Sequence, residues 1–231
     1  MKLVDMKEIK GKVTLISGLH IGAGDMEMKI GGTDNPVIKH PHSMEPFIPG
    51  SSLKGKVRSL LEMRSGLMIK SDGKPLSPSH LKGCSAEEKQ EGEKILKLFG
   101  ASGADDEHSE KLGPTRVSFA DASLNEDWKK SADENQLPLT EVKSENSINR
   151  IKGTAENPRF TERVPSGTVF NFCVTLKTME NDEGLEDFLL EGLRLLQMDA
   201  LGGNGSRGYG KVEFGFDDER IQKKFDQITP L

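Results

Sequence analysis

Thr168-Val169-Phe170-Asn171-Phe172-Cys173-Val174-Thr175-Leu176-Lys177 is the stretch on which the fold turns. Phe170, Phe172, Val174 and Leu176 recur at every second position and β-branched residues are frequent. That is the pattern of a half-buried strand. Outward toward the C-terminus the period changes. From Gly184 to Ala200, Leu185, Phe188, Leu189, Gly192, Leu193 and Leu196 form one apolar helical stripe, with Glu186, Asp187 and Glu191 outside it. A glycine-rich loop at 201–210 follows. Lys211 to Phe216 then reads as a strand with Val212, Phe214 and Phe216 on one side. Outward toward the N-terminus, Arg116 to Asp121 reads as another strand. Leu53, Val57, Leu60 and Leu61 share a helical face; Ser51 or Ser52 is expected to cap that helix, and Gly66 to end it after about Arg64. Residues 7–17 alternate again, with Ile9, Gly11, Val13 and Leu15 on one side. The order is strand, helix, strand, strand, helix, strand. This predicts an α+β chain built on the split βαβ, ferredoxin-like or RRM-like βαββαβ arrangement, which RNA-recognition modules share. Residues 1–231 are read as a single such domain with insertions at about 18–50, 66–114 and 122–167.

The insertions differ in character. Residues 18–50 read as loop. Residues 70–114 are polar and acidic, and the segment Ser85–Glu110 carries a net −5. Only Ile95 to Phe99 there is expected to be a small helix; the rest reads as a mobile insertion. Residues 122–167 read as irregular and polar. Within them, however, Lys143, Arg150, Lys152, Arg159 and Arg163 alternate with Ile148, Ile151, Phe160 and Val164. A solvated loop has little use for those apolar residues, so a projecting hairpin or arm that meets bases or another subunit is expected.

Composition excludes several classes. No stretch approaches the roughly 18 consecutive apolar residues of a membrane span, and Met1 to Lys10 has no signal-peptide core. Two cysteines do not make a disulfide framework, so the cytoplasm is the expected compartment. The net charge of −5 argues against nucleic acid only as a global figure. Locally, Lys39–Lys70 carries a net +4 and Glu180–Glu191 a net −6. Sign asymmetry bears more directly on partners than the total does.

Several motifs have a chemical reading beside a bland one. Gly50-Ser51-Ser52-Leu53-Lys54-Gly55-Lys56-Val57 nearly matches a phosphate-binding P-loop, but Val57 has no hydroxyl for magnesium and the helix already begins inside the motif. The same atoms can form an anion site: free N–H groups of a helix start, with Ser51, Ser52 and Lys54 beside them and Lys56 and Arg58 nearby. The alternative is an ordinary solvated helix start. Gly203-Asn204-Gly205-Ser206-Arg207-Gly208-Tyr209-Gly210 contains G-x-G-x-x-G, but between a helix and a strand, the wrong order for a dinucleotide site. So many glycines point to close backbone approach to a ligand, with Arg207 as a phosphate partner. His20 reads as a lone histidine at the end of a strand. His80, Cys84 and His108 are loosely spaced for zinc and lack an evident fourth ligand. Asp34, between Gly-Gly-Thr and Asn-Pro, reads as a turn residue, with Asp25 and Glu27 the nearest other carboxylates.

Six strings occur together in a familiar order: Leu19-His20-Ile21-Gly22, Asp34 to Lys39, Ile48 to Lys56, Thr140-Glu141-Val142-Lys143, Glu156-Asn157-Pro158-Arg159 and the Gly202–Gly210 loop. The chain resembles the Csm-type backbone subunits of type III-A CRISPR effector complexes, in the RAMP superfamily. The resemblance spans nearly the whole chain outside about 70–112. It implies an RRM-like palm with inserted lid and thumb elements, stacked with further copies of itself in a helical filament along a CRISPR RNA, beside other Csm subunits. It implies a thumb that inserts into the guide–target duplex, and endoribonuclease cleavage of single-stranded target RNA at regular intervals. Catalysis would fall on Asp34, with magnesium or another divalent metal for which Asp34 is a candidate ligand. RNA binding would fall on His20, Ser51, Ser52, Lys54, Lys56, Arg58, Lys143, Arg150, Arg159, Gly203, Gly205, Ser206 and Arg207. The alternative is a non-catalytic RNA-binding scaffold of the same kind of complex.

Overall fold

A computed structural model describes residues 2–24, 35–101 and 112–231. Its centre is a four-stranded antiparallel sheet made of β1 (Leu3–Leu15), β2 (Val117–Phe119), β5 (Val169–Met179) and β6 (Val212–Phe216), in the order β2-β5-β1-β6. Between them in sequence, β3 (Glu141–Ile148) and β4 (Ala155–Arg163) form a separate two-stranded sheet. The two palm helices are α1 (Gly50–Arg64) and α5 (Leu185–Met198). This is the ferredoxin-like order read from the sequence, because each strand's period of two leaves one face to be buried.

Register follows the alternation. Ile9 pairs with Val174 and Val13 with Phe170 across β1 and β5, while Val13 meets Phe214 across β1 and β6. These side chains are buried with Leu53, Val57 and Leu61 of α1 and Phe188, Leu189, Leu193 and Leu196 of α5 in one core. The opposite sheet face carries Lys10, Lys12 and Asn171, all exposed, and the half-buried Cys173. Where α1 crosses α5, a Cβ on Gly192 would lie 2.6 Å from Val57 Cγ1, so the helices approach at closer range than a side chain allows.

Several elements depart from the sequence reading. Strand β1 begins four residues earlier than expected. Helix α1 starts at Gly50 with Pro49 at the cap position, so Ser51 and Ser52 lie in its first turn and do not cap it. The cap comes from far away in sequence: Gly50 N–H donates to Asp121 Oδ1 at 2.7 Å. The acidic insertion holds more than a short helix at 95–99. After the four-residue α2 (Leu67–Lys70), α3 spans Ala86–Phe99. Ser85 Oγ accepts from Glu88 N–H while Glu88 returns a bond to Ser85 N–H, a reciprocal cap that starts the helix two turns before its apolar end. Ile95, Leu96, Leu98 and Phe99 then join the core. The region 122–167 is not irregular throughout: α4 (Glu126–Glu134), capped by Asn125, precedes the β3–β4 hairpin. The expected arm is that hairpin. A last helix, α6 (Glu219–Gln227), follows β6 and buries Ile221 and Phe225, an element with no counterpart in the sequence reading.

Candidate nucleic-acid interface

Three segments meet at one end of the palm: the turn after β1, the glycine-rich loop after α5, and the base of the β3–β4 hairpin. His20 holds them. Its Nδ1–H donates to the Glu162 carbonyl at 2.7 Å. That bond leaves Nε2 as the atom free to accept. The His20 carbonyl accepts from Gly203 N–H at 2.9 Å, and Leu19 exchanges hydrogen bonds with Val164. A residue read as a lone histidine is therefore a junction.

Glu162 is the second fixed point. Lys39 Nζ lies 2.6 Å from its Oε1 and Val37 N–H donates to Oε2 at 2.9 Å. Burial pushes this carboxyl up, but the bonds from Lys39 and Val37 outweigh it and hold it below its ordinary 4.5. The Asn35 carbonyl accepts from Glu162 N–H at 3.1 Å. The strap from Asn35 to Lys39 is thereby fastened to β4. Asp34, together with Asp25, Glu27 and His108, lies outside the described residues.

The loop's glycines have two different explanations. Gly202 and Gly210 have positive φ, and a Cβ on either would strike backbone: 2.4 Å from His20 O and 1.9 Å from Leu201 O. Gly210 serves the loop's own closure, and Gly202 its close approach to the turn after β1. Gly203, Ser206, Arg207 and Gly208 are exposed and Gly205 half-buried, with Gly205–Arg207 forming a single tight turn. Arg207 is half-exposed, bonded to Asn204 and 3.3 Å from Glu145 Oε2.

Other basic residues divide into engaged and available. Arg58 donates to Glu62, Gly100 and Leu76, so it ties α1 to the insertion rather than standing free. Lys56 pairs with Asp199 at 2.6 Å, joining α1 to the entrance of the glycine-rich loop. Lys143 lies 3.3 Å from Glu145 and over the Tyr209 ring. Lys54 makes no ion pair among the described residues; burial, and secondarily the Arg58 charge, push its pKa down. Both effects are relieved by an anion. Arg150 and Arg159 are exposed on the hairpin, alongside exposed Ile148, Ile151 and Phe160. His20, Gly203, Arg207 and Lys143 thus come together, whereas Arg58 is turned inward. The sequence reading missed Glu145, Glu162 and Tyr209, because nothing local marks a residue whose partner is 64 or 142 positions away.

Among the described residues no group of three or more His, Cys, Asp or Glu converges to hold a metal ion. His80 Nδ1 accepts from Ser77 N–H at 3.1 Å, and buried Cys84 lies 3.5 Å from Lys70 Nζ. No helix among the described residues is long and apolar enough to cross a membrane.

The chain as a whole is similar to known proteins. The RAMP superfamily model matches residues 12–213. A Methanothermobacter thermautotrophicus protein named "CRISPR system Cms endoribonuclease Csm3" is 40% identical, over 89% of this chain and 82% of its own. A protein of the same name from Methanocaldococcus jannaschii is 42% identical, over 89% of this chain and 77% of its own. A crystal structure of a Csm3–Csm4 subcomplex in the type III-A CRISPR–Cas interference complex aligns with a TM-score of 0.57 at 25% identity, covering 99% of each chain. With the ferredoxin-like palm, its inserted hairpin and its glycine-rich loop all in place, the chain belongs to the RAMP superfamily and, within it, to the Csm3 family.

Proposed function

We propose that this chain is a repeated backbone subunit of a type III-A CRISPR effector complex. In this reading it binds CRISPR RNA, stacks with copies of itself and other Csm subunits, and cuts guide-paired target RNA at regular intervals as a divalent-metal-dependent endoribonuclease. The observation that carries the reading is identity of 40–42% with relatives named as endoribonucleases, sustained over 89% of the chain.

The geometry supports it. Lys54, Arg207 and the exposed Gly203 and Ser206 of the glycine-rich loop suit phosphates, which position RNA without reading its sequence. Base pairing by the guide supplies specificity. The hairpin offers exposed Ile148, Ile151 and Phe160 to splayed bases, with Arg150 and Arg159 for the backbone.

Asp34 carries the chemistry in this proposal. A bound divalent ion would stabilise charge on the scissile phosphate, with Asp34 as its ligand; the described residues show no cluster that completes such a site. Alternatively, the role of the carboxylate is to orient the attacking ribose 2′-OH or accept its proton. The O2′–P bond then forms as the P–O5′ bond breaks, and the leaving O5′ takes a proton from water, leaving a 2′,3′-cyclic phosphate and a 5′-hydroxyl; the carboxyl returns its proton to solvent. Products with 5′-phosphate ends would exclude this second route.

The test is gel-resolved cleavage of a guide-matched RNA by the assembled complex. Asp34→Ala is expected to abolish cutting while guide and target binding stay near wild type. Continued cutting at the same regular sites would overturn the assignment and leave a non-catalytic RNA-binding scaffold. Cleavage in chelator without added divalent ions would overturn the metal requirement.

A further inference from the structure

Tyr209 is the single tyrosine of the chain and its side chain is 0% exposed. It lies near the end of the glycine-rich loop, yet the acceptor of its hydroxyl and the two cations over its ring belong to the hairpin. Its hydroxyl donates to Glu145 Oε1 of β3 at 2.9 Å. Lys143 Nζ of β3 lies 4.5 Å from the ring centroid, and Arg163 Cζ at the end of β4 lies 5.0 Å from it. The ring therefore faces two cations, one from each strand. Arg207, two residues earlier, reaches the other oxygen of Glu145 at 3.3 Å. Loop side chains thus occupy both oxygens of one hairpin carboxylate. Burial and the bond to Glu145 push the Tyr209 hydroxyl up, so it remains a donor at neutral pH.

The hairpin needs such an anchor. It is a two-stranded sheet of its own, and an isolated hairpin is marginal. The first six residues of β4 are exposed, and burial begins only at Thr161 and Glu162. Its direction is therefore set at its base. Arg163, besides facing Tyr209, lies so close to Gly18 that a Cβ there would be 2.5 Å from its side chain.

We infer that Tyr209 is a positioning residue: its bond to Glu145 and its cation-flanked ring fix the angle of the hairpin relative to the glycine-rich loop. Phosphates held at the loop and bases met by the arm then keep a constant offset along the RNA, so that each subunit cuts at one position. This rests on the RNA-cleaving function proposed above.

The experiment compares wild type, Tyr209→Phe, Glu145→Ala and Glu145→Gln in the assembled complex on an end-labelled, guide-matched RNA. Tyr209→Phe keeps the ring and loses one charge-assisted hydrogen bond, so the ratio of off-register to main product is expected to rise about tenfold. Glu145→Ala is expected to do the same. Glu145→Gln keeps a carbonyl acceptor for the hydroxyl and is expected to restore most of the sharp pattern. A merely structural role lowers the melting temperature and leaves the register of cuts unchanged. Sharp wild-type register in both Tyr209→Phe and Glu145→Ala overturns the inference.

A second readout needs no cleavage. Spin labels on Ile151→Cys in the hairpin and on half-buried Cys173 of the palm sheet report the arm's angle. The distance distribution is expected to be narrow in wild type and broader in both variants. An unbroadened distribution overturns the inference even if the chain cuts nothing, which separates its failure from failure of the proposed function.

Discussion

At Gly210 the backbone has φ +71°, and a Cβ would sit 1.9 Å from the Leu201 carbonyl oxygen. No rotamer relieves a clash with backbone, so Gly210→Ala is expected to cost about 1–3 kcal/mol in denaturant unfolding. Gly208, also at positive φ but with nothing within 4 Å of the added atom, should cost less than Gly210. A ranking reversed between the two would mean that the loop does not close as described. Lys54 and Arg207 yield a binding prediction. Lys54→Ala or Arg207→Ala should each lower the salt slope of RNA binding by about one counterion. An unchanged slope would count against phosphate contacts at these residues. Single residues were only partly legible in the sequence. The chemical type of Arg207 was; that Arg58 and Lys143 are occupied inside the protein was not, since charge alone does not reveal a partner.

Elements were more legible where a long apolar period marks the buried face, and the short helix α6 was missed although it buries Ile221 and Phe225. Strand β5 and helices α1 and α5 carry long apolar periods, and they lie where those periods predict. Helix α3 shows the opposite case. Its first two turns are acidic and polar, and what starts it is the Ser85–Glu88 reciprocal cap rather than a stripe. Ser85→Ala is therefore expected to destabilise α3 by about 1 kcal/mol, read as a drop in thermal midpoint. The crossing of α1 and α5 has a sharper requirement. An alanine Cβ at Gly192 would lie 2.6 Å from Val57 and 2.9 Å from Leu61. Gly192→Ala is expected to cost about 1–3 kcal/mol through overpacking, despite alanine's better helix propensity. A stabilised variant would show that the helices can separate freely.

Across the whole molecule, the acidic run at 180–191 is not an open negative face. Arg116 takes Asp182 at 2.7 Å, Lys7 takes Glu186 at 2.5 Å and Arg64 takes Glu191 at 2.7 Å. Arg116 and Asp182 are the most deeply buried of these pairs, with side chains 2% and 3% exposed. Removing one partner strands a buried charge, so Arg116→Ala is expected to cost about 3–5 kcal/mol. Burial pushes the Asp182 carboxyl up, but the bonds from Arg116 and from Met179 N–H outweigh it and hold it below 3.8. Glu186 and Glu162 are likewise held below 4.5, by Lys7 with Lys224 and by Lys39 with Val37. A depressed carboxyl contributes stability that is full above its unfolded pKa and lost as pH falls through its folded value. Stability should thus be level with respect to these groups above about pH 5 and fall steadily below pH 4. Urea midpoints across that range check this, and Asp182→Asn should flatten part of the fall.

The amino-acid sequence by itself determined the order of the palm's strands and helices, the buried face of each of those elements and the presence of an arm. All of these follow from hydrophobic period and turn chemistry, which act over a few residues. It did not determine which segments meet. His20 with Glu162, Asp121 with Gly50, and Tyr209 with Glu145 are brought together by the β2-β5-β1-β6 strand order and by the hairpin folding back onto the palm. Such contacts join residues far apart in the chain, and their enthalpy is realised only once the sheet has closed the loops between them. No local pattern encodes them, so the tertiary structure alone brings a lone histidine, a polar strand and a run of glycines together at one end of the palm.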